Sequence, residues 1–230
     1  MMVHAALKTL FALVLLSVVA FAKERSESTL IPTSLCPDYD VLMSLYNSTQ
    51  GPDWIRRHNW GISPACCDAK NGWYGLNCDS SNNVIFINLP DNNLVGTFPE
   101  ILIKLVRLKA LNLALNRLSG SLPPSIAHWT ELEALTLFSN NLTGALPQCF
   151  GAFARLQTLE LFSNKLSGSF PSGIGLLANL TTMWVNDNLF SSVDVAMPQP
   201  RSLFACDLSA NPLSCPIPVW AGSTCAAVCS

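Results

Sequence analysis

Charged side chains are scarce in this chain of 230 residues, and no cluster of one sign stands out. Lys and Arg total 13 against 15 Asp and Glu, and charged residues make up only 12% of the sequence. Because a nucleic-acid-binding domain needs a clustered basic face, this composition argues against a nucleic acid partner. Solubility must then come from neutral polar groups and from glycans. Three Asn-x-Ser/Thr sequons could carry glycans, at Asn47, Asn141 and Asn179.

The sequence motifs of common enzymes are also missing. Beyond residue 22 the chain has two histidines, His58 and His128, and neither lies in a G-x-S-x-G elbow or an H-E-x-x-H helix. No G-x-x-x-x-G-K-[ST] phosphate-binding loop occurs. We therefore expect no catalytic site, no bound metal and no cofactor.

A long apolar run occurs at the N-terminus only. Lys8 precedes the run from Leu10 to Phe21, and Ala20-Phe21-Ala22 has the small-x-small pattern that signal peptidase cleaves. Because the run is too short for a comfortable transmembrane helix, we predict a signal peptide over residues 1–22, followed by a flexible segment over residues 23–35. Lys8 is the only charged residue of the signal, so cleavage changes the formal net charge from −2 to −3.

The C-terminal residues carry neither a second apolar stretch nor a lipid-anchor signal. We therefore expect the mature protein to be secreted, to lie in the extracellular space or the cell wall, and to have no membrane span.

The sequence repeats with a period of 24 residues. Six units share the pattern L-x-x-L-x-L-x-x-N-x-L, and four of them add G-x-x-P with an apolar residue before the proline. The units begin at Val84, Leu108, Leu132, Leu156, Leu180 and Leu203, the last one residue early. Such a pattern is typical of leucine-rich repeats, whose coils cannot bury a core alone and therefore stack between two end caps.

Alternation along a short strand predicts which side chains of each unit face the core. In the second unit Leu111 and Leu113 should point inward, whereas Ala110, Asn112 and Ala114 should point outward. An asparagine follows each strand where the chain turns inward, and its buried amide can bond backbone groups that the turn leaves unpaired. This column comprises Asn92, Asn116, Asn140, Asn164, Asn188 and Asn211.

Residues 36–83 precede the first unit and carry a distinct set of motifs. They contain a predicted amphipathic helix from Asp38 to Tyr46, the tryptophans Trp54 and Trp60, the pair Cys66-Cys67, and Trp73-Tyr74-Gly75-Leu76-Asn77-Cys78. At these residues the chain resembles the N-terminal cap of secreted plant-type leucine-rich-repeat proteins, such as polygalacturonase-inhibiting proteins and receptor-kinase ectodomains. The segment from Leu42 to Trp54 is similar to a protist variant of that cap.

The resemblance implies an α/β solenoid. We expect a right-handed leucine-rich-repeat horseshoe of six coils over residues 84–214, with a parallel concave sheet. The N-terminal cap over residues 36–83 and a Cys-rich cap over residues 215–230 should close its two ends with disulfides.

All nine cysteines follow residue 22, and eight of them crowd near the two ends, as expected of disulfides in a secreted domain. The resemblance implies the pairs Cys36–Cys66 and Cys67–Cys78. Zinc bound by Cys66, Cys67 and Cys78 is the alternative, but it lacks C-x-x-C spacing. Cys149 is left over, and we expect a half-buried side chain rather than a reactive thiol. Two further bridges, in one of three connectivities, should join Cys206, Cys215, Cys225 and Cys229.

Candidate ligand-binding residues lie at the outward strand positions. Phe138 and Phe162 share a column in neighbouring coils, and Trp184 comes next along the sheet, with Glu160 and Asp207 beside it. Exposed aromatic residues flanked by a few charges are typical of interface hot spots, although such rings can also simply cover the sheet. The two carboxylates, about 10 Å apart by strand spacing, could also suit an inverting glycosidase. Repeat sheets carry such charges routinely, so we favour binding.

Three functions remain open at this point. The first is recognition of an extracellular protein, peptide or glycan by the concave face, which Asn141 and Asn179 would leave open because both fall outside the predicted strands. The second is inhibition of a secreted polysaccharide-degrading enzyme, as in polygalacturonase-inhibiting proteins. The third is a structural role in the matrix or cell wall, including ice binding, which would need a regular ladder of Thr or Ser. The outward Thr136, Thr158 and Thr182 do not form one continuous column.

Overall fold

The computed structural model of this protein describes residues 36–63, 65–68, 70–227 and 229. The predicted signal peptide over residues 1–22 and the segment over residues 23–35 lie outside the described residues. The repeats form stacked coils, and each coil contributes one strand to a sheet that we call the main sheet. The predicted leucine-rich-repeat solenoid is thereby confirmed.

The main sheet has seven strands in the order β1-β2-β4-β6-β8-β10-β12. They are β1 Leu76–Cys78, β2 Val84–Asn88, β4 Ala110–Asn112, β6 Ala134–Thr136, β8 Thr158–Glu160, β10 Thr182–Trp184 and β12 Ala205–Asp207. Six strands are parallel, one from each repeat, whereas β1 comes from the cap and pairs antiparallel with β2. The predicted parallel sheet of six repeat strands is confirmed, and the antiparallel cap strand is an addition that the sequence analysis does not predict. The cap strand pairs backbone groups of β2 that a free edge would leave open.

A second sheet, which the sequence analysis does not predict, runs in the order β11-β9-β7-β5-β3. Its strands are β3 Val95–Thr97, β5 Arg117–Gly120, β7 Asn141–Ala145, β9 Lys165–Phe170 and β11 Leu189–Val193. Short 3₁₀ helices follow, and each begins directly after the proline of a G-x-x-P motif. The return helices are Glu100–Lys104, Pro124–His128, Gln148–Ala152 and Ser172–Leu176.

The two sheets differ in the register between neighbouring strands. In the main sheet Ala110 pairs with Ala134, and Ala134 with Thr158, a step of one full repeat. In the second sheet Val95 pairs with Arg117, a step two residues shorter. Equivalent residues of successive repeats therefore stand side by side in the main sheet and are displaced along the strands in the second.

The core of the coils is a set of buried columns. One row runs in register through the main-sheet strands as Leu111, Leu135, Leu159 and Met183, all essentially inaccessible to solvent. Larger rings fill the space behind it, including Trp129, Phe150 and Phe153. The Trp129 indole also donates a hydrogen bond of 3.1 Å to the Leu102 carbonyl of the preceding coil, so its polar atom is satisfied inside the core.

The asparagine column joins the two sheets. The Asn140 side-chain amide donates to the carbonyls of Leu113 and Leu137 at 2.9 and 3.1 Å, beside the main sheet. Its oxygen accepts a 2.9 Å hydrogen bond from the amide of Leu118 in β5 of the second sheet. Asn92, the first of the column, bonds the backbone of Arg56 instead, which ties the coils to the cap.

The N-terminal cap packs a helix and an aromatic cluster over the open end of the core. Helix α1 spans Tyr39–Ser48 and buries Leu42, Leu45 and Tyr46, while Val41 of the same helix is half-buried. The ring centroids of Tyr46 and Trp54 lie 5.2 Å apart in an edge-to-face arrangement. Trp60 continues the cluster, 4.9 Å from Trp54.

Disulfides cross-link both caps. The structure joins Cys36 to Cys66 and Cys67 to Cys78, the pairs that the family resemblance implies. At the other end, where the sequence left three connectivities, the bridges join Cys206 to Cys225 and Cys215 to Cys229. Cys206 lies on β12 and Cys225 follows helix α2, Val219–Thr224, so this bridge holds α2 to the last main-sheet strand.

Candidate functional site

The outward side of the main sheet brings the predicted aromatic residues together. The rings of Phe138 and Phe162 stack almost in parallel, with centroids 4.3 Å apart and planes 8° apart. Trp184 meets Phe162 edge-on at 6.3 Å and is 40% exposed. We call these three residues the aromatic array. The stack of Phe138 on Phe162 follows from the full-repeat register, which places these equivalent residues one strand apart. Trp184 is in register with Glu160 and therefore meets Phe162 diagonally.

The two predicted carboxylates flank Trp184 along a single row. Residue pairing places Glu160 and Asp207 directly beside Trp184, on the strands before and after it. One oxygen of Glu160 accepts a 3.1 Å hydrogen bond from the Thr136 hydroxyl. One oxygen of Asp207 accepts a 2.8 Å bond from the amide of Ser209. Within the described part of the chain neither carboxylate forms an ion pair.

The opposite half of the same face carries mainly polar and small side chains, beside Phe86, which pairs with Ala110. Asn112 donates a hydrogen bond of 2.9 Å to Asn88 in the neighbouring strand, so these amides satisfy each other. Ala114, at a position predicted to point outward, is completely buried. Ala114 is the equivalent of Phe138 in the preceding coil. Its methyl group is small enough to be covered completely by the adjacent side chains. The aromatic array therefore begins at the third coil.

Phe204 is an exposed aromatic residue that the sequence analysis overlooked. It directly precedes β12 and is 77% exposed. Its amide bonds the carbonyl of Thr181 at 3.1 Å, which places it at the edge of the main sheet. The equivalent positions in the four preceding repeats are polar, Lys109, Glu133, Gln157 and Thr181. A ring after four polar residues in the same column was the signal that could have identified it.

The three sequon asparagines are exposed. Asn47 lies near the end of α1, and the Asn179 side chain donates a 2.8 Å hydrogen bond to the Ala154 carbonyl. Asn141, which lies outside the predicted strands, begins β7 of the second sheet. The strand was missed because it belongs to the unpredicted sheet. None of the three lies on a main-sheet strand.

The cysteine chemistry of the described residues is structural. The sulfurs of Cys66, Cys67 and Cys78 lie within 4.8 Å of one another, but all three are engaged in disulfides and offer no thiolate to a metal. Cys149 is the free cysteine, half-buried in a 3₁₀ helix with its sulfur 3.2 Å from the Pro124 carbonyl. Burial raises the pKa of the Cys149 thiol, which lowers its thiolate fraction at neutral pH.

One further carboxylate is unusual because it is half-buried at the junction of cap and coils. Asp38 accepts a 2.7 Å hydrogen bond from the amide of Val84, the first residue of β2. Burial raises the pKa of Asp38, and this outweighs the hydrogen bond from Val84, which acts in the opposite direction.

None of the helices in the described part of the chain has the length and apolar character of a membrane span.

Comparison with known proteins agrees with this architecture. The Leucine Rich Repeat family model matches residues 107–129 and 155–177. A chain of the BIR3–SERK2 complex from Arabidopsis thaliana is 32% identical, with a TM-score of 0.63 over 77% of this chain and 95% of that one. No curated protein sequence matches the chain. The chain therefore belongs to the plant-type leucine-rich-repeat family, and it resembles receptor-kinase ectodomains.

Two further solved structures share the fold at lower identity. The ectodomain of the Arabidopsis receptor kinase HAESA, in complex with an IDA peptide hormone, is 26% identical with a TM-score of 0.65. The match covers 80% of this chain but only 31% of the HAESA chain. A plant ice-binding protein is also 26% identical, with a TM-score of 0.63 over 78% of this chain and 58% of that one.

Proposed function

We propose that this protein is a secreted recognition protein whose main sheet binds an extracellular protein or peptide through the aromatic array. The observation that carries the proposal is the contiguous packing of Phe138, Phe162 and Trp184 on the outward side of the sheet. Large, rigid rings bury much area at little entropic cost, which makes them typical binding anchors. Secretion rests on the predicted signal peptide over residues 1–22 and on the four disulfides.

The related structures support binding of this kind. HAESA holds a peptide hormone, and the BIR3–SERK2 structure is a complex between two proteins. Three exposed sequons, Asn47, Asn141 and Asn179, lie away from the main-sheet strands, so glycans attached there would leave that face accessible.

A catalytic role for the two carboxylates has less support than binding. Trp184 pairs with both Glu160 and Asp207, so the indole occupies the strand position between them. An inverting glycosidase needs that space for the sugar and its attacking water. We therefore assign the carboxylates to binding.

The alternative of a regular lattice-binding surface is not favoured, although the chain resembles a plant ice-binding protein. Such a surface needs unbroken rows of small hydroxyl side chains. In the second sheet Thr97 pairs with Ser119, but the next partner is Asn141, and Thr143 pairs with Lys165. The shortened register thus interrupts each row. No specific observation favours inhibition of a polysaccharide-degrading enzyme.

Alanine substitution of the aromatic array tests the proposal. The mature chain would be used to capture a partner from extracellular fluid, and the purified partner would be titrated against the variants. We expect Phe138→Ala, Phe162→Ala and Trp184→Ala each to weaken binding by about 2 kcal/mol or more, as hot-spot residues do. His128→Ala, an exposed change on a return helix, serves as the control. Normal binding by all three aromatic variants would contradict the proposal, and unfolding of these variants would assign the rings a structural role.

A further inference from the structure

We infer that the main sheet recognises an extended peptide through a basic side chain, held over Trp184 between Glu160 and Asp207. An apolar side chain two positions away in the peptide contacts the stacked Phe138 and Phe162. This inference rests on the proposed function and names the chemistry of its ligand.

The first support is the geometry of the row. Glu160, Trp184 and Asp207 are paired in register on three adjacent strands. Their backbones are therefore about 4.8 Å apart from one strand to the next. A planar guanidinium can lie against the exposed part of an indole while its edge N–H groups reach carboxylates on both sides.

The second support is the unbalanced charge. Glu160 and Asp207 are the only charged residues at outward positions of the six parallel strands. Each uses one oxygen in a hydrogen bond, to Thr136 and to the Ser209 amide respectively. In the described residues the second oxygen of each has no hydrogen-bond partner. Two unpaired carboxylates beside an exposed indole are complementary to a cation and repel an anion.

The third support is spacing. The ring centroids of Phe162 and Trp184 are 6.3 Å apart. Side chains that share a face of an extended peptide are two residues apart, a separation of about 6.6 Å. A peptide with an apolar residue, any residue and then a basic residue therefore matches both parts of the site at once. An uncharged glycan can stack on the rings, but it leaves the carboxylate pair without a partner of opposite charge.

The test compares two capped pentapeptides, Ac-Gly-Leu-Gly-Arg-Gly-NH₂ and the same peptide with citrulline in place of arginine. Citrulline keeps the size and planarity of arginine but removes its charge. In titration calorimetry against the mature chain at low salt, we expect the arginine peptide to bind at least tenfold more tightly. The ratio should fall at 0.5 M NaCl, because exposed charges are then screened.

Matched variants locate the effect. Glu160→Gln combined with Asp207→Asn should abolish the preference for arginine. Glu100→Gln combined with Asp53→Asn makes the same change in net charge at exposed positions outside the main sheet and should leave the preference intact. Trp184→Leu keeps an apolar side chain without a π face, so it should weaken binding of the arginine peptide more than binding of the citrulline peptide.

Equal binding of the two peptides, absence of binding, or an unchanged preference in the Glu160/Asp207 variant would each overturn the inference. The proposed function fails separately. If the captured partner is lost by Phe138→Ala but retained by the Glu160/Asp207 variant, the main sheet still binds its partner and only the cationic chemistry is wrong. If all three aromatic variants and the Glu160/Asp207 variant retain that partner, the proposed function is itself contradicted.

Discussion

The main sheet and the second sheet are built from the same repeats, yet their surfaces have little in common. In the main sheet neighbouring strands pair one full repeat apart, as Leu135 does with Leu159. In the second sheet the step is two residues shorter, as between Thr143 and Lys165. A repeated side chain therefore forms a straight row on one sheet and a staggered one on the other. Register, rather than composition, determines which face can present a continuous array.

The difference has a functional consequence. On the main sheet the stacked pair Phe138 and Phe162 arises because a residue of one repeat meets its equivalent in the next. On the second sheet the hydroxyls of successive repeats are interrupted by Asn141, Lys165 and Leu189. The same periodic sequence thus yields one surface suited to a concentrated binding site and one that is chemically mixed.

Removing the bridge at the edge of the main sheet should have the largest effect on stability. The Cys67–Cys78 disulfide holds β1, which pairs with β2 and closes that sheet. Substituting both cysteines by serine should lower the free energy of unfolding by about 2–5 kcal/mol. Denaturant titration measures it, and Cys149→Ser is the control, expected to change little. Equal midpoints for the two variants would mean that the cap bridge does not stabilise the main sheet.

Breaking the connection between the sheets should cost less. Asn140 bonds carbonyls beside the main sheet and an amide of the second, so Asn140→Leu leaves groups on both sides unsatisfied. We expect a loss of about 1–3 kcal/mol in the free energy of unfolding. The half-exposed Thr158→Ser is the matched mild change on a main-sheet strand. Identical denaturation midpoints would refute the role of the asparagine column.

A double-mutant cycle sharpens the contrast in register. Phe138→Ala and Phe162→Ala should be coupled by about 0.5–1.5 kcal/mol in unfolding, because the two rings stack. Thr143→Ala and Ser167→Ala are equally separated in sequence on the second sheet, but they are not paired with each other. Their effects should add to within about 0.5 kcal/mol. Comparable coupling in both pairs would show that register does not govern contact.

The smallest effect concerns pH. Burial raises the pKa of Asp38, so the fold binds this proton more readily than the unfolded chain does. The stability that Asp38 contributes is therefore fully present below its unfolded pKa and is lost as pH rises through the raised folded value. Asp38→Asn removes this dependence and should reduce the decline in stability on going from pH 4 to pH 6, relative to wild type.

Asp38→Ala provides the matched control, because it removes the acceptor for the Val84 amide and should be less stable than Asp38→Asn at every pH. Chemical denaturation across this pH range gives the comparison. A steeper decline in Asp38→Asn than in wild type would contradict the raised pKa.

The sequence alone was enough to predict the solenoid, the six parallel strands, the N-terminal cap and the members of the aromatic array. The solenoid and the array follow from local rules: alternation along a strand decides which side chains face the core, and a constant period repeats that choice in every coil. The pairing of Trp184 with both carboxylates could be predicted for the same reason, because it follows from the register of the main sheet. The cap was predicted from its resemblance to the caps of plant-type leucine-rich-repeat proteins.

Other features depended on how the coils stack. The cap strand Leu76–Cys78, the second sheet and the pairing of Cys206 with Cys225 all join segments that no local pattern relates. The burial of Ala114 likewise depends on the size of the side chains around it. The sequence period places equivalent residues in successive coils, but hydrogen bonding between coils decides whether they meet side by side or two residues apart. That choice is made by three-dimensional packing, and it separates the face that carries the aromatic array from the face that does not.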